Sequence, residues 1–150
     1  MSIKEQIDQD LKTAMLAGEK DTTTTLRGIK GAILNVEIAQ NKRDTGLADN
    51  EVVEVLSKEA KKRQESADMY VQGGSQEKAD AELTEKLIIE KYLPQRLSDE
   101  ELAKVVDQAI ADTNANGMQA MGQVIGAVKQ KVGAQADGGR IAQMVKEKLA

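Results

Sequence analysis

Apolar residues recur roughly every three or four positions along most of the chain, and the alternation of a half-buried β-strand is missing. Ile3, Ile7 and Leu11 mark a first helix that stops near Gly18. Asp21 and the threonines after it offer N-cap oxygens for a second helix with the stripe Leu26, Ile29, Ile33 and Val36. Residues 45–49 read as a loop in which Asp49 caps a third helix. That helix runs to about Gly73-Gly74 along Val52, Leu56, Ala60, Ala67 and Tyr70. A fourth starts after Ser75 and ends before Pro94, because a residue preceding proline is pushed out of the helical region. Ser98 and Glu101 have the spacing of a capping box, with Leu97 and Leu102 placed as its hydrophobic staple. The fifth helix follows, with Leu102, Val105, Val106, Ala109 and Ile110 on one face, and ends at residues 114–117. Two more are predicted, Met118 to Val132 and Asp137 to the C-terminus, the last with Ile141, Met144, Val145 and Leu149. The pattern predicts an all-α protein. Its N-terminal four-helix domain covers residues 1–93, and a small three-helix domain covers 94–150, with a hinge at 93–98.

Composition narrows the chemistry. The balance of 40% hydrophobic and 31% charged residues is that of a globular chain. No apolar run approaches the roughly 18 residues needed to span a membrane, and the first residues turn polar at once, without a secretory apolar region. Cysteine and histidine are both absent, which removes disulfides, thiol catalysis, Cys/His zinc sites and the usual neutral-pH base. Neither a metal site nor a cofactor is expected, and the composition points to the cytoplasm. The only aromatic residues are Tyr70 and Tyr92, so the core is aliphatic and nothing stands ready to stack on bases. The net charge of −4 is unevenly spread. From Gly117 onward five basic residues stand against two acidic ones, whereas the preceding part is acidic.

The segment "MGQVIGAVKQKVGAQADGG" concentrates glycine in a helical context. On a helical wheel Gly122 and Gly126 fall one turn apart beside the apolar arc, with Gly133 continuing the line and Lys129 among them. One reading is a groove, or a close approach of another helix, at Gly122, Gly126 and Gly133. A second reading concerns the start of the last helix. There the amides of Gly138 and Gly139 attract anions, and Lys129, Lys131 and Arg140 are near in sequence. Asp137 would compete with an anion for those amides.

Met121-Gly122-x-Val124, Lys131-x-Gly133-x-x-Ala136-Asp137-Gly138 and Val145-Lys146-x-x-Leu149 resemble the C-terminal signature of the YqeY (GatB/YqeY) family. Leu26-Arg27, Lys58, Lys62-Arg63-x-x-Ser66, Glu82-x-x-Glu85 and Tyr92-Leu93-Pro94 are similar to its other motifs, so the resemblance covers essentially the whole chain. Gln135 stands where such proteins often carry a basic residue. The resemblance implies a helical N-terminal domain followed by a domain similar to the tail of the GatB subunit of tRNA-dependent amidotransferase, which helps hold tRNA. By homology it also points to carbon–nitrogen ligase activity with glutamine as amido-N-donor. Releasing ammonia from glutamine needs an activated nucleophile with a base beside it. The five serines read as two caps, one terminal residue and two helix positions, and no phosphate cradle or metal site is visible.

One charge lies inside an apolar stripe. Arg63 falls among Leu56, Ala60, Ala67 and Tyr70, and Glu85 lies on the facing stripe of the next helix. A buried charge is costly unless paired, so Arg63 and Glu85 form an ion pair, or Arg63, with Lys62 and Arg27, faces a cleft and binds an anion. Lys58, Lys61 and Lys62, interleaved with Glu54, Glu59 and Glu65, read as a solvated face. Two functions follow as expectations. The first is an accessory protein contacting tRNA through its C-terminal helices, with no catalytic residues of its own. The second is an adaptor that receives a partner helix in the glycine-lined groove.

Overall fold

Serine–glutamate pairs start two of the helices. In the computed structural model, which describes all residues Met1–Ala150, Ser2 Oγ accepts the Glu5 N–H at 3.1 Å and Glu5 Oε2 accepts the Ser2 N–H at 2.9 Å. This capping box opens α1 (Ile3–Ala17). The box of Ser98 and Glu101 opens α5 (Asp99–Thr113) with 3.1 and 3.2 Å bonds. The other helices are α2 (Lys20–Ala39), α3 (Asp49–Gln72), α4 (Gln76–Glu90), α6 (Met121–Val132) and α7 (Gly138–Leu149). Short 3₁₀ turns at Met118–Ala120 and Gly133–Gln135 flank α6, and there is no strand. No helix is long and apolar enough to cross a membrane.

The chain divides into two compact units, Met1–Leu93 and Pro94–Ala150. In the first, α3 and α4 form a hairpin packed along its length, and α1 and α2 pack beside it. Ile7, Leu26, Ile29, Val52, Leu56 and Ile89 are wholly buried there. In the second, α5, α6 and α7 close around Leu102, Val106, Val124, Val128, Ile141 and Val145, also wholly buried. Each such side chain contributes about 1.5–3 kcal/mol over an exposed one.

Three local expectations need correction. The second helix is not capped by Asp21 or a threonine: it starts at Lys20 behind Glu19, which makes no side-chain cap bond. Thr25 instead donates to the Asp21 carbonyl at 2.8 Å. Asp49 is the first residue of α3 and not its cap; its Oδ1 accepts the Ile3 N–H at 3.0 Å and fastens α1 to α3. Tyr70 leaves the core stripe and is 37% exposed, with the Lys78 ammonium 5.8 Å from its ring centre.

Candidate functional site

The turn between α6 and α7 gathers most of the predicted site residues. Gly133 ends α6 at φ 54°, ψ −125°, a conformation that excludes ordinary side chains. The chain then makes one 3₁₀ turn and enters α7 at Gly138. Asp137 holds the N-cap position, and its carboxylate makes no cap bond. The first closed bond of α7 runs from the Ile141 N–H to the Asp137 carbonyl at 3.0 Å. The amides of Gly138, Gly139 and Arg140 therefore keep the unfilled donors of a helix start. Lys129 reaches this start from the last turn of α6. Its Cε and Nζ lie 3.5 Å from the point where a Cβ on Gly138 would stand. Lys129 and Lys131 are both exposed and neither has an ion-pair partner.

Arg140 does not join them. Its Nε donates to Asp99 Oδ1 at 2.9 Å, its Nη2 meets the same carboxylate, and its Nη1 donates to the Leu97 carbonyl at 2.9 Å. The side chain is spent on fixing α7 to the start of α5. Gln135 serves the same segment: its carbonyl accepts the Leu97 N–H at 2.9 Å and its Nε2 donates to the Gln95 carbonyl. These bonds come from residues about forty positions away, and no local motif announces them.

Gly122 and Gly126 are exposed, and a Cβ on either would meet nothing within 4 Å. The expectation that they let another helix come close is corrected: no helix packs there. Gly133 likewise has open space around it and is explained by its backbone.

In the first unit, the predicted Arg63 and Glu85 stand 3.6 Å apart, Nε to Oε2. Arg63 also pairs with Glu59, one turn back on its own helix, and lies against Gly28 of α2, where a Cβ would be 3.7 Å from Nη2. Glu59 thus leaves the solvated face assigned to it: its side chain is only 14% exposed. A second buried charge was not predicted. Glu37 accepts from Lys4 Nζ at 2.7 Å and from the Leu47 N–H at 2.8 Å. Its position four residues after Ile33 continues the apolar stripe of α2, and that was the available signal. The Lys4 hydrogen bond, helped by Leu47, holds the Glu37 carboxyl below its ordinary range against the opposing effect of burial.

The serines are scattered. Ser2 and Ser98 cap helices, Ser75 precedes α4, Ser57 and Ser66 lie on α3, and no serine hydroxyl meets an acidic or basic side chain. No group of three acidic residues is arranged to hold a metal ion.

Comparison with known proteins extends these observations. The family model described as Yqey-like protein matches residues 4–149. The chain belongs to the YqeY family. Among curated relatives, the protein named "Altered inheritance of mitochondria protein 41, mitochondrial" from Eremothecium gossypii is 34% identical over 103 residues. Its namesake from Kluyveromyces lactis is 33% identical over the same length. Each alignment covers 67% of this YqeY chain and 55% of the relative, so the chain spans about half the length of the curated relatives it matches. Both relatives are named as mitochondrial, a compartment that the composition-based expectation of the cytoplasm does not include.

Proposed function

We propose that this YqeY family member is an accessory protein that contacts tRNA through the α6–α7 turn, while other proteins supply the chemistry of any amide transfer. The observation that carries this reading is the Lys129 ammonium beside the uncapped first turn of α7, where Asp137 Oδ2 also lies 3.5 Å from the point where a Cβ on Gly139 would stand. A phosphate oxygen there accepts from backbone amides at the positive end of a helix and meets a cation with no other partner. Lys131 adds a second free charge on the same turn of α6. The motifs within residues 121–149 that resemble the family's C-terminal signature, and through it imply a domain similar to the GatB tail, lie in the same segment. Within this reading, residues 94–150 act as a tail-like domain attached to a four-helix domain. Contacts of this kind reach the phosphate backbone and carry no base sequence. Both cytoplasm and mitochondria contain tRNA, so the reading does not depend on the compartment.

The test is a titration of the full chain with unfractionated tRNA at a series of salt concentrations. Affinity falls linearly on log–log axes, because phosphate contacts release counterions. The competing reading is an adaptor that receives a partner helix over the open Gly122–Gly126 face; it gains if no tRNA binds even at low salt.

A further inference from the structure

The surface that the tRNA reading leaves unused is a cleft of about 460 Å³ between α2 and α3. Val36 and Val55 form its apolar floor, and Asn35, Glu54 and Lys58 stand on its walls. Most charges around the cleft are already neutralised. Glu51 is held by Lys42 at 2.5 Å, and Glu59 by Arg63 and Lys62. Glu54 and Lys58 hold no ion partner and are exposed. A glutamate four residues before a lysine is the favoured order for a pair within one helix, yet these two remain apart. The wall of the cleft therefore presents one free negative and one free positive charge, a single helical turn apart.

We propose that this cleft is a self-association surface and that its occupant is α3 of a second copy of this chain, crossing antiparallel. The argument is charge complementarity. An antiparallel crossing centred on the turn between residues 54 and 58 sets Glu54 of each copy opposite Lys58 of the other, so four unpaired charges become two ion pairs. A parallel crossing in the same register sets like charges together. One patch then serves both copies, as a two-fold interface requires. The apolar floor loses water in the same contact, and the ion pairs fix its register.

Sedimentation equilibrium of the full chain at low salt, from about 1 µM to 1 mM, tests this. The wild-type chain shows a monomer–dimer equilibrium within that range. Glu54→Lys and Lys58→Glu each set like charges opposite one another and raise the dissociation constant about tenfold or more. Mixing the two variants restores association, because each cleft again meets the opposite sign. Both substitutions replace exposed side chains, and an unchanged melting temperature verifies the fold. A wild-type chain that stays monomeric throughout overturns the proposal. So do single variants that associate like wild type, or a mixture that associates no better than its components. The tRNA titration reads a different unit of the chain and stands or falls separately.

Discussion

Lys129 lies across the first turn of the helix that follows its own, with its ammonium 3.5 Å from where a Cβ on Gly138 would stand. This relationship makes Lys129 the central agent of the proposed tRNA contact, with Lys131 as a second free charge in the same turn of α6. Changing Lys129 and Lys131 to Gln removes two free charges and is expected to flatten the log–log salt slope by about 1.4 to 1.8. The melting temperature hardly moves, since both side chains are exposed and unpaired. Unchanged tRNA affinity in the double variant at every salt concentration removes this segment from the interface.

Arg140 behaves differently from its two neighbours. Arg140→Gln loses the bonds to Asp99 and to the Leu97 carbonyl. It is expected to cost about 1 kcal/mol in chemical denaturation, with little change in the tRNA salt slope. A slope that drops by a further unit without loss of stability shows that Arg140 exchanges Asp99 for a phosphate.

The glycines of α6 divide by backbone and surroundings. Gly122 and Gly126 lie inside a helix with open space around them, so Gly122→Ala and Gly126→Ala each stabilise by about 0.5–1 kcal/mol. Gly133→Ala meets a positive φ and loses about 1–3 kcal/mol. Thermal melts of the three variants decide the matter. A destabilising Gly122→Ala shows that something packs on that face.

Arg63 is held by two carboxylates, and its removal leaves Glu85 without a partner and Glu59 with the exposed Lys62 alone. Arg63→Ala is expected to lower stability by about 3 kcal/mol. Pairing Arg63→Met with Glu85→Leu recovers little, because Glu59 remains as the more buried partner. Pairing Arg63→Met with Glu59→Leu recovers more. Equal recovery in the two double variants, read from denaturation midpoints, denies Glu59 this role.

What the sequence disclosed depended on the range of the interaction. The Ser98–Glu101 box is a four-residue code, and α5 begins where that code puts it. Arg63 was found because a charge interrupting an apolar stripe demands a partner, but the rule does not choose between partners. Glu85 fitted the stripe of the facing helix, whereas Glu59 hid among exposed charges of its own. The same rule applies to Glu37 after Ile29 and Ile33; its partner Lys4 comes from a different helix. Arg140 stands among the candidate anion-binding cations in the sequence because nothing local to it reveals Asp99. The glycine line was legible as a feature and misleading as packing, since a wheel locates an empty face without saying what lies opposite.

Glu37 also sets an acid response. Its folded-state pKa lies below the ordinary carboxylate value, chiefly through the Lys4 hydrogen bond. Folding therefore favours the ionised form. The resulting stabilisation is fully present above the unfolded-state pKa and is lost as pH falls through the folded one. Glu51, held down first by its hydrogen bond from Lys42, adds a slope of the same sign. Glu37→Gln keeps an acceptor for the Leu47 N–H but gives up the charge facing Lys4. It is expected to cost about 1.5–3 kcal/mol at neutral pH, the range of a hydrogen bond to a charged group. Below the pH at which the unfolded carboxyl protonates, the gap between variant and wild type closes, because the wild-type side chain is becoming neutral as well. Gly46 sharpens the same test from the other side of the pair. It has φ 76°, and a Cβ there would stand 3.2 Å from Lys4 Nζ and 3.3 Å from Glu37 Oε2. Gly46→Ala should therefore destabilise at neutral pH through both strain and crowding. The strain should persist in acid, where the Glu37→Gln deficit has gone. Urea denaturation of the three proteins at pH 7 and at several points below pH 4.5 makes the comparison. A Glu37→Gln deficit that stays constant with pH shows that Glu37 stabilises by packing alone and that its ion pair with Lys4 adds nothing.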